Sequence, residues 1–309
     1  MNIWVGRMLG LLRELLNRKG AGAGAVLLVI WGIFGVGCDK GPPPAPVYGK
    51  IRVVATAYPL ADIARQVGGD AVQCDWIAEQ GQAMDMSDPT DEDRQRVRQA
   101  EMVLTNGTGE DWAGAGSEDP MRGRMILRLD VLPKAKVDSG SRALWLDPEV
   151  AKSVARDFAQ RLSNQRAEQT SVFQANADRF AGSVDQLINE FGPRIAAIKG
   201  HKVLVLSHNY FALTKALGLV EVRAVDDASP MQLSDEDIRA LRDAATSQGA
   251  EALLLPVSTP AAVQQDLSHR LGVPVILLDS LGTSAGVGRN TYQAIFRYDL
   301  EQLTGLAKH

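Results

Sequence analysis

Residues 202–218 read KVLVLSHNYFALTKALG, and this stretch decides the fold class. The short apolar run VLVL is typical of a strand buried on both faces. The segment after it has apolar residues at helical spacing as far as Gly218, a residue type that ends helices. The alternation continues downstream, with strands predicted in 219–225, 250–257 and 273–279 and helices in 234–249, 259–272 and 289–308. Apolar strands that alternate with helices predict a parallel sheet covered on both faces.

The chain upstream repeats this pattern. Strands are predicted in IRVVA, AVQCDWIAE, MVLTNG and MILRLDVL, and helices follow the first two strands. Between the two halves, residues 165–199 are polar and helical in pattern, with an interruption expected at Gly192-Pro193. For 309 residues two domains are the natural expectation. We therefore predict an α/β protein of two lobes, 51–161 and 200–309, each with a parallel sheet flanked by helices, joined by one long rigid helix in 162–199.

The N-terminal segment is distinct from the rest. Basic residues precede an uncharged, mostly apolar run that ends in GVGC at Cys38, a pattern typical of a secretory signal over 1–38. The small residue before Cys38 resembles a bacterial lipobox, although Gly35 stands where that motif usually has leucine. The proline-rich DKGPPPAPVYGK, residues 39–50, is typical of a tether. We expect Cys38 to be lipidated and the protein to be membrane-anchored in the periplasm or at the cell surface; a plain signal peptide or a single anchor helix is the alternative.

Charge, cysteine content and the absence of certain motifs limit the classes of function that the protein can have. A net charge of -4 gives no reason to expect a nucleic-acid partner. The only cysteine besides Cys38 is Cys74, which lies in an apolar stretch, so we expect a small core residue and no disulfide. No H-E-x-x-H motif or phosphate-binding loop is present, which argues against an enzyme and against an organic cofactor.

Ligands of open parallel sheets bind beyond the carboxyl ends of the strands. This rule selects Asp85, His208 and Asp279, which together would offer two carboxylates and one imidazole to a divalent metal. Each has a simpler interpretation: Asp85 as a solvated turn residue, His208 as a helix-start residue with Ser207 as the cap, and Asp279 as the cap of the following turn. Two carboxylates and a histidine in a cleft also allow acid–base chemistry, which we consider the least supported option.

Several segments, in order, resemble the metal-binding solute-binding proteins of ABC importers for zinc and manganese. These are VVATAYPLADIARQVGGD, GQAMDMSDPTDEDRQRVRQAEMVLTNGTGEDW, LWLDPEVAKSVA, VLVLSHNYFALTKALGL, SPMQLSDEDIRALRDAATSQGAEALLL and LGVPVILLDSLG. The resemblance covers nearly everything after the tether. It implies two lobes around a metal-binding cleft, a rigid linking helix and an ABC permease as the partner.

The ligand set departs from the family pattern. The resemblance places histidines at three positions and a carboxylate at a fourth. His208 and Asp279 match, Asp85 replaces the first histidine, and Ala143 stands at the second, where no ligand atom is available. We expect a monomeric lipoprotein that captures manganese, zinc or iron for an importer. The alternative is a protein of the same fold that has lost tight metal binding and binds another small ligand or a protein partner.

Overall fold

Two four-stranded parallel sheets, each flanked by helices, make up the folded part of the protein. The computed structural model describes residues 49–78, 89–110, 112–113, 125–133, 142–225, 228–284 and 288–308, all within the unit Gly49–His309. Both sheets have the same topology: the second strand pairs with one side of the first, and the third and fourth strands follow on its other side. The predicted fold class is confirmed.

The N-terminal lobe contains the sheet β2-β1-β3-β4. Its helix α2 begins with a capping box, in which Thr90 and Asp93 exchange side-chain and backbone hydrogen bonds. The described elements of this lobe are β1 (Ile51–Ala57), α1 (Tyr58–Gly68), β2 (Val72–Ala78), α2 (Asp91–Gln99), β3 (Met102–Thr105) and β4 (Met125–Arg128).

Two long helices follow, α3 (Pro148–Gln165) and α4 (Thr170–Ala197). The chain breaks between them at Arg166, whose backbone is non-helical, so residues 162–165 belong to α3 and the linking helix proper is α4. At 1.5 Å per residue α4 is about 42 Å long. The interruption expected at Gly192-Pro193 is wrong. Pro193 lies inside α4 on its exposed side, where the carbonyl that loses a partner can face water.

The C-terminal lobe contains the sheet β6-β5-β7-β8. Ser234 caps its helix α6 and forms a capping box with Asp237, in the region where a helix is predicted. The elements are β5 (Lys202–Val205), α5 (Phe211–Leu217), β6 (Val220–Arg223), α6 (Asp235–Gln248), β7 (Ala252–Pro256), α7 (Ala261–Leu271), β8 (Val275–Leu278) and α8 (Tyr292–Leu303).

One hydrophobic core runs through both lobes. It joins the inner faces of the two sheets to α1, α3, α4 and α8, and smaller clusters cover the outer face of each sheet. Phe158 of α3 and Phe180 of α4 are fully buried in this shared core. Cys74 lies in this core, as predicted. Among the described helices, none combines the length and apolar character that a membrane crossing needs.

Candidate functional site

The described part of the predicted site lies at the carboxyl ends of β5 and β8. His208 follows β5 and Asp279 follows β8, in the same parallel sheet. Asp85 and the lipidation candidate Cys38 lie outside the described residues. Within those residues, no group of three or more His, Cys, Asp or Glu side chains is arranged to hold a metal ion. The predicted ligands that the structure describes therefore both belong to the C-terminal lobe.

His208 opens a short 3-10 turn, His208–Tyr210, that leads into α5. Ser207 is extended, and its hydroxyl accepts a hydrogen bond from the N–H of Asn209 at 3.4 Å, so the simpler interpretation of Ser207 as a cap is confirmed. Arg223 Nη1 lies 2.6 Å from both ring nitrogens of His208. A single nitrogen equally far from both ring nitrogens lies off the in-plane directions of their lone pairs, so Arg223 places a positive charge against the ring without occupying the lone pair that a metal ion would need.

Arg223 is held in this position by an acidic partner. Its Nη2 is 2.6 Å and its Nε 3.1 Å from Oε2 of Glu221, two residues away and so on the same face of β6. Glu221 also accepts a hydrogen bond from Thr214 Oγ1 at 2.8 Å, and its side chain is 7% exposed. Arg223 thus connects Glu221 to the candidate ligand His208.

Asp279 is almost fully enclosed, with 2% of its surface exposed. Its Oδ1 accepts hydrogen bonds from the N–H groups of Leu281 at 3.1 Å and Gly282 at 2.8 Å. The interpretation of Asp279 as the cap of the following turn is therefore confirmed. Its Oδ2 lies 2.8 Å from Arg289 Nε, but neither atom makes a hydrogen bond of good geometry, so charge attraction dominates this contact.

A second carboxyl, Asp299 of α8, lies behind Asp279. Its Oδ1 accepts a hydrogen bond from the backbone N–H of Asp279 at 2.8 Å, while its Oδ2 has no hydrogen-bond partner. Burial raises the pKa of Asp299 well above its ordinary value, and the negative charge of Asp279 raises the pKa further.

Ala143 has a left-handed backbone, with φ 51° and ψ 47°. It is the only non-glycine residue with positive φ in the part of the chain that the structure describes. The following N–H, of Leu144, donates to Oδ1 of Asn106 at 2.9 Å. Asn106 is fixed in turn by Glu110, a buried carboxylate that accepts hydrogen bonds from Thr105 Oγ1 at 2.6 Å and from the N–H of Asn106 at 2.8 Å. The unusual backbone is thus maintained although alanine has no ligand atom.

Direct hydrogen bonds connect the lobes beside the site. Trp145 Nε1 donates to the carbonyl of Ser280 at 2.8 Å, next to Asp279. Tyr292 OH donates to the carbonyl of Trp145 at 2.9 Å, and the N–H of Tyr292 donates to Asp62 Oδ2 at 2.7 Å. Burial raises the pKa of Asp62. These bonds hold the N-terminal end of α8 against the N-terminal lobe.

Sequence similarity now identifies the family. The sequence model described as "ZnuA: Zinc-uptake complex component A periplasmic" matches residues 53–305, which is most of the chain. The protein belongs to the ZnuA family. The resemblance drawn from the individual motifs is confirmed.

Relatives of this ZnuA-family protein are named for different metals. It is 23% identical over 298 residues to the manganese ABC transporter substrate-binding lipoprotein PsaA of Streptococcus mitis, which covers 88% of this chain and 94% of PsaA. It is 22% identical over 291 residues to the iron ABC transporter substrate-binding lipoprotein MtsA of Streptococcus pyogenes serotype M1, covering 84% and 90%. These proteins are named as transport components, not as enzymes.

Solved structures share the fold of this ZnuA-family protein. The periplasmic zinc-binding protein TroA from Treponema pallidum superposes with a TM-score of 0.70 at 16% identity, over 84% of this chain and 99% of TroA. At this identity the likeness concerns the fold. It supports the two-lobed architecture and does not select a metal.

The two arginines were not among the residues predicted for the site. Arg223 ends a strand in which charged and apolar residues alternate, a pattern that ordinarily indicates a half-exposed surface. Arg289 stands in the loop before α8, where no periodicity applies. Their roles depend on contacts between residues distant in sequence, and no motif in the chain signals them.

Proposed function

We propose that the protein is the extracytoplasmic solute-binding component of an ABC importer. It captures a divalent transition metal, manganese, zinc or iron, between its lobes and delivers the ion to a membrane permease without catalysing a reaction. A lipid on Cys38 anchors the protein, and residues 39–50 act as the tether of a monomer. The family match over residues 53–305 carries this proposal, together with relatives named for manganese and iron transport.

The proposed ligands are Asp85, His208 and Asp279. One imidazole and two carboxylates form an oxygen-rich set that suits manganese or iron better than zinc. His208 and Asp279 follow strands of one sheet, at the edge where parallel sheets bind ligands. The missing fourth ligand at Ala143 leaves a position for water or for an oxygen of the permease.

Capture requires two exchanges of charge. The metal binds a ring nitrogen of His208, whose ring Arg223 contacts, and it takes Oδ2 of Asp279 from Arg289. Each exchange replaces a protein cation by a divalent cation, so the buried carboxylate keeps a positive partner throughout. The bonds of Trp145 and Tyr292 between the lobes limit their motion, and we expect only a small closure.

A second function is favoured by one observation. Asp279 has hydrogen bonds to Oδ1 and an arginine at Oδ2, so its charge is balanced without a metal. Together with Ala143, this supports a protein of the ZnuA fold that has lost tight metal binding and binds another small ligand or a protein partner.

Elemental analysis separates the two functions. The full-length protein, purified in detergent, is incubated with manganese, iron and zinc together and dialysed extensively. If the protein captures metal, the wild type is expected to retain about one equivalent, and His208→Ala and Asp85→Ala are expected to lose it. The control is His269→Ala, because His269 is exposed on α7. A folded wild-type protein that retains no metal overturns the importer proposal and favours the second function.

A further inference from the structure

The loop between β8 and α8 brings Arg289 back to Asp279. At its start, Gly282 has φ +62° and donates its N–H to Asp279 Oδ1. Across the loop, the N–H of Thr283 donates to the carbonyl of Arg289 at 3.1 Å. A Cβ on Gly282 would lie 3.0 Å from that carbonyl and 2.3 Å from Ile295 Cδ1, so only glycine permits this approach without rearrangement. The backbone of Arg289 is therefore fixed beside the carboxylate.

The chain after Arg289 is fixed to the other lobe. The carbonyl of Asn290 accepts a hydrogen bond from Tyr58 OH at 2.8 Å. Two residues further on, Tyr292 donates its N–H to Asp62. Since Tyr58 and Asp62 both belong to α1, the position of Arg289 is determined by contacts with both lobes.

The guanidinium of Arg289 lies between the carboxylate and an aromatic ring. Its central carbon is 4.8 Å from the ring centre of Tyr298, and its side chain is 25% exposed, whereas Asp279 is 2% exposed. A buried carboxylate without a cation is strongly destabilising, and Arg289 is the cation paired with Asp279 among the described residues. The same oxygen, Oδ2, is the one that a metal would coordinate, because Oδ1 already accepts two backbone N–H groups.

We propose that Arg289 is an internal competitor of the metal and sets the affinity of the site. In the metal-free protein it neutralises Asp279, and binding of a divalent cation displaces it from Oδ2. This inference rests on the proposed metal capture. The displaced guanidinium keeps its place above Tyr298, so it remains near the site and returns when the metal leaves.

Removal of the charge of Arg289 tests the proposal. In Arg289→Gln, the full-length protein in detergent is expected to bind Mn²⁺ and Zn²⁺ at least tenfold more tightly by isothermal titration. Without metal the same variant is expected to unfold at a lower temperature than the wild type, and saturating Zn²⁺ is expected to remove this difference. Arg289→Lys keeps the positive charge and is expected to bind metal with nearly wild-type affinity. The control is Arg297→Gln, which removes the exposed ion pair between Arg297 on α8 and Glu190 on α4.

A measurement on the wild-type protein tests the competitor role of Arg289 even where Arg289→Gln fails to fold. In ¹⁵N-labelled protein, the Nε–H signal of Arg289, assigned by its loss in Arg289→Lys, is expected to move when Zn²⁺ is added. An unchanged signal at saturating Zn²⁺ overturns the proposal.

The titrations separate the two proposals. Wild-type binding that is lost in His208→Ala and unchanged in Arg289→Gln refutes the role of Arg289 and leaves metal capture standing. Binding by Arg289→Gln alone supports the role of Arg289 and shows that this residue prevents capture by the wild type. Absence of binding in both overturns metal capture and the competitor role together.

Discussion

Oδ1 of Asn106 accepts the backbone N–H of Leu144 at 2.9 Å and so holds the turn in which Ala143 is left-handed. Asn106 is 2% exposed, and its own backbone N–H is bonded to Glu110. The position that carries a ligand in the family pattern is thus supported from the end of β3, in the N-terminal lobe. This support persists where the ligand side chain is absent, which indicates that the turn has a structural role of its own.

Loss of the Asn106 side chain is expected to weaken this turn. Asn106→Ala leaves the buried N–H of Leu144 without a partner, and we expect a loss of about 1–3 kcal/mol in the free energy of unfolding. Urea unfolding followed by tryptophan fluorescence measures the change. Asn164→Ala serves as the control, because Asn164 is exposed on α3. Equal losses in the two variants would mean that the bond to Leu144 contributes nothing specific.

A histidine at position 143 is expected to strengthen metal binding. The backbone of Ala143 already has left-handed angles, a region in which histidine is more frequent than most residues. Ala143→His adds an imidazole ligand, so we expect at least a tenfold gain in Zn²⁺ affinity, or about 1.4 kcal/mol. Titration calorimetry measures it.

Ala143→Gly distinguishes the effect of an added imidazole from the effect of backbone conformation at position 143. The left-handed conformation costs alanine about 1–2 kcal/mol, and glycine adopts it without that cost. Glycine supplies no ligand atom. We expect the glycine variant to keep wild-type metal affinity. A gain in affinity equal to that of the histidine variant would show that backbone freedom, and not the imidazole, limits binding.

Much of the fold was predictable because its determinants are local. Apolar runs and helix-ending glycines such as Gly218 act within a few residues, and each predicted an element that the structure contains. Pro193 misled the prediction because the effect of a proline on a helix depends on which face of the helix is exposed. That face is determined by tertiary packing.

The site was predictable only in part. The strand-end rule selected His208 and Asp279 because parallel strands align their carboxyl ends, and the structure places both there. It did not select Arg289, because the Asp279–Arg289 pair depends on how the loop from Gly282 closes and on how α8 docks onto the other lobe. Whether Asp85 joins them remains a prediction.

The thiol of Cys74 is expected to destabilise the protein at high pH. Burial raises the pKa of this thiol from 9.0 to about 12, so in this range the unfolded chain releases its proton first. The stabilising effect of the neutral buried thiol is present in full below pH 9.0 and is lost as the pH rises toward about 12. Between pH 7 and pH 10 we expect the free energy of unfolding to fall by about 1.4 kcal/mol more in the wild type than in Cys74→Ala. Urea unfolding at both pH values tests this, and parallel pH dependences in the two proteins would contradict it.

The hydroxyl of Tyr292 is expected to stabilise the contact between the lobes. It donates to the carbonyl of Trp145, and the ring packs against Phe180 and Phe296 with centres 5.3 and 6.1 Å away. Burial raises the pKa of Tyr292 well above its ordinary value, so the hydroxyl remains a donor at all ordinary pH values. Tyr292→Phe keeps the ring and removes the bond.

We expect Tyr292→Phe to lower the free energy of unfolding by about 1–3 kcal/mol, because the buried carbonyl of Trp145 loses a donor. The control is Tyr298→Phe on the same helix, which keeps its aromatic face toward Arg289 and is only half-buried. Urea unfolding measures both variants, and hydrogen exchange of the Trp145 indole N–H reports the lobe contact directly, since that group donates to Ser280. Faster indole exchange in Tyr292→Phe alone would locate the loss at the lobe contact. Unchanged exchange with reduced stability would place the effect in the packing of α8 and contradict a hydrogen-bonded link between the lobes.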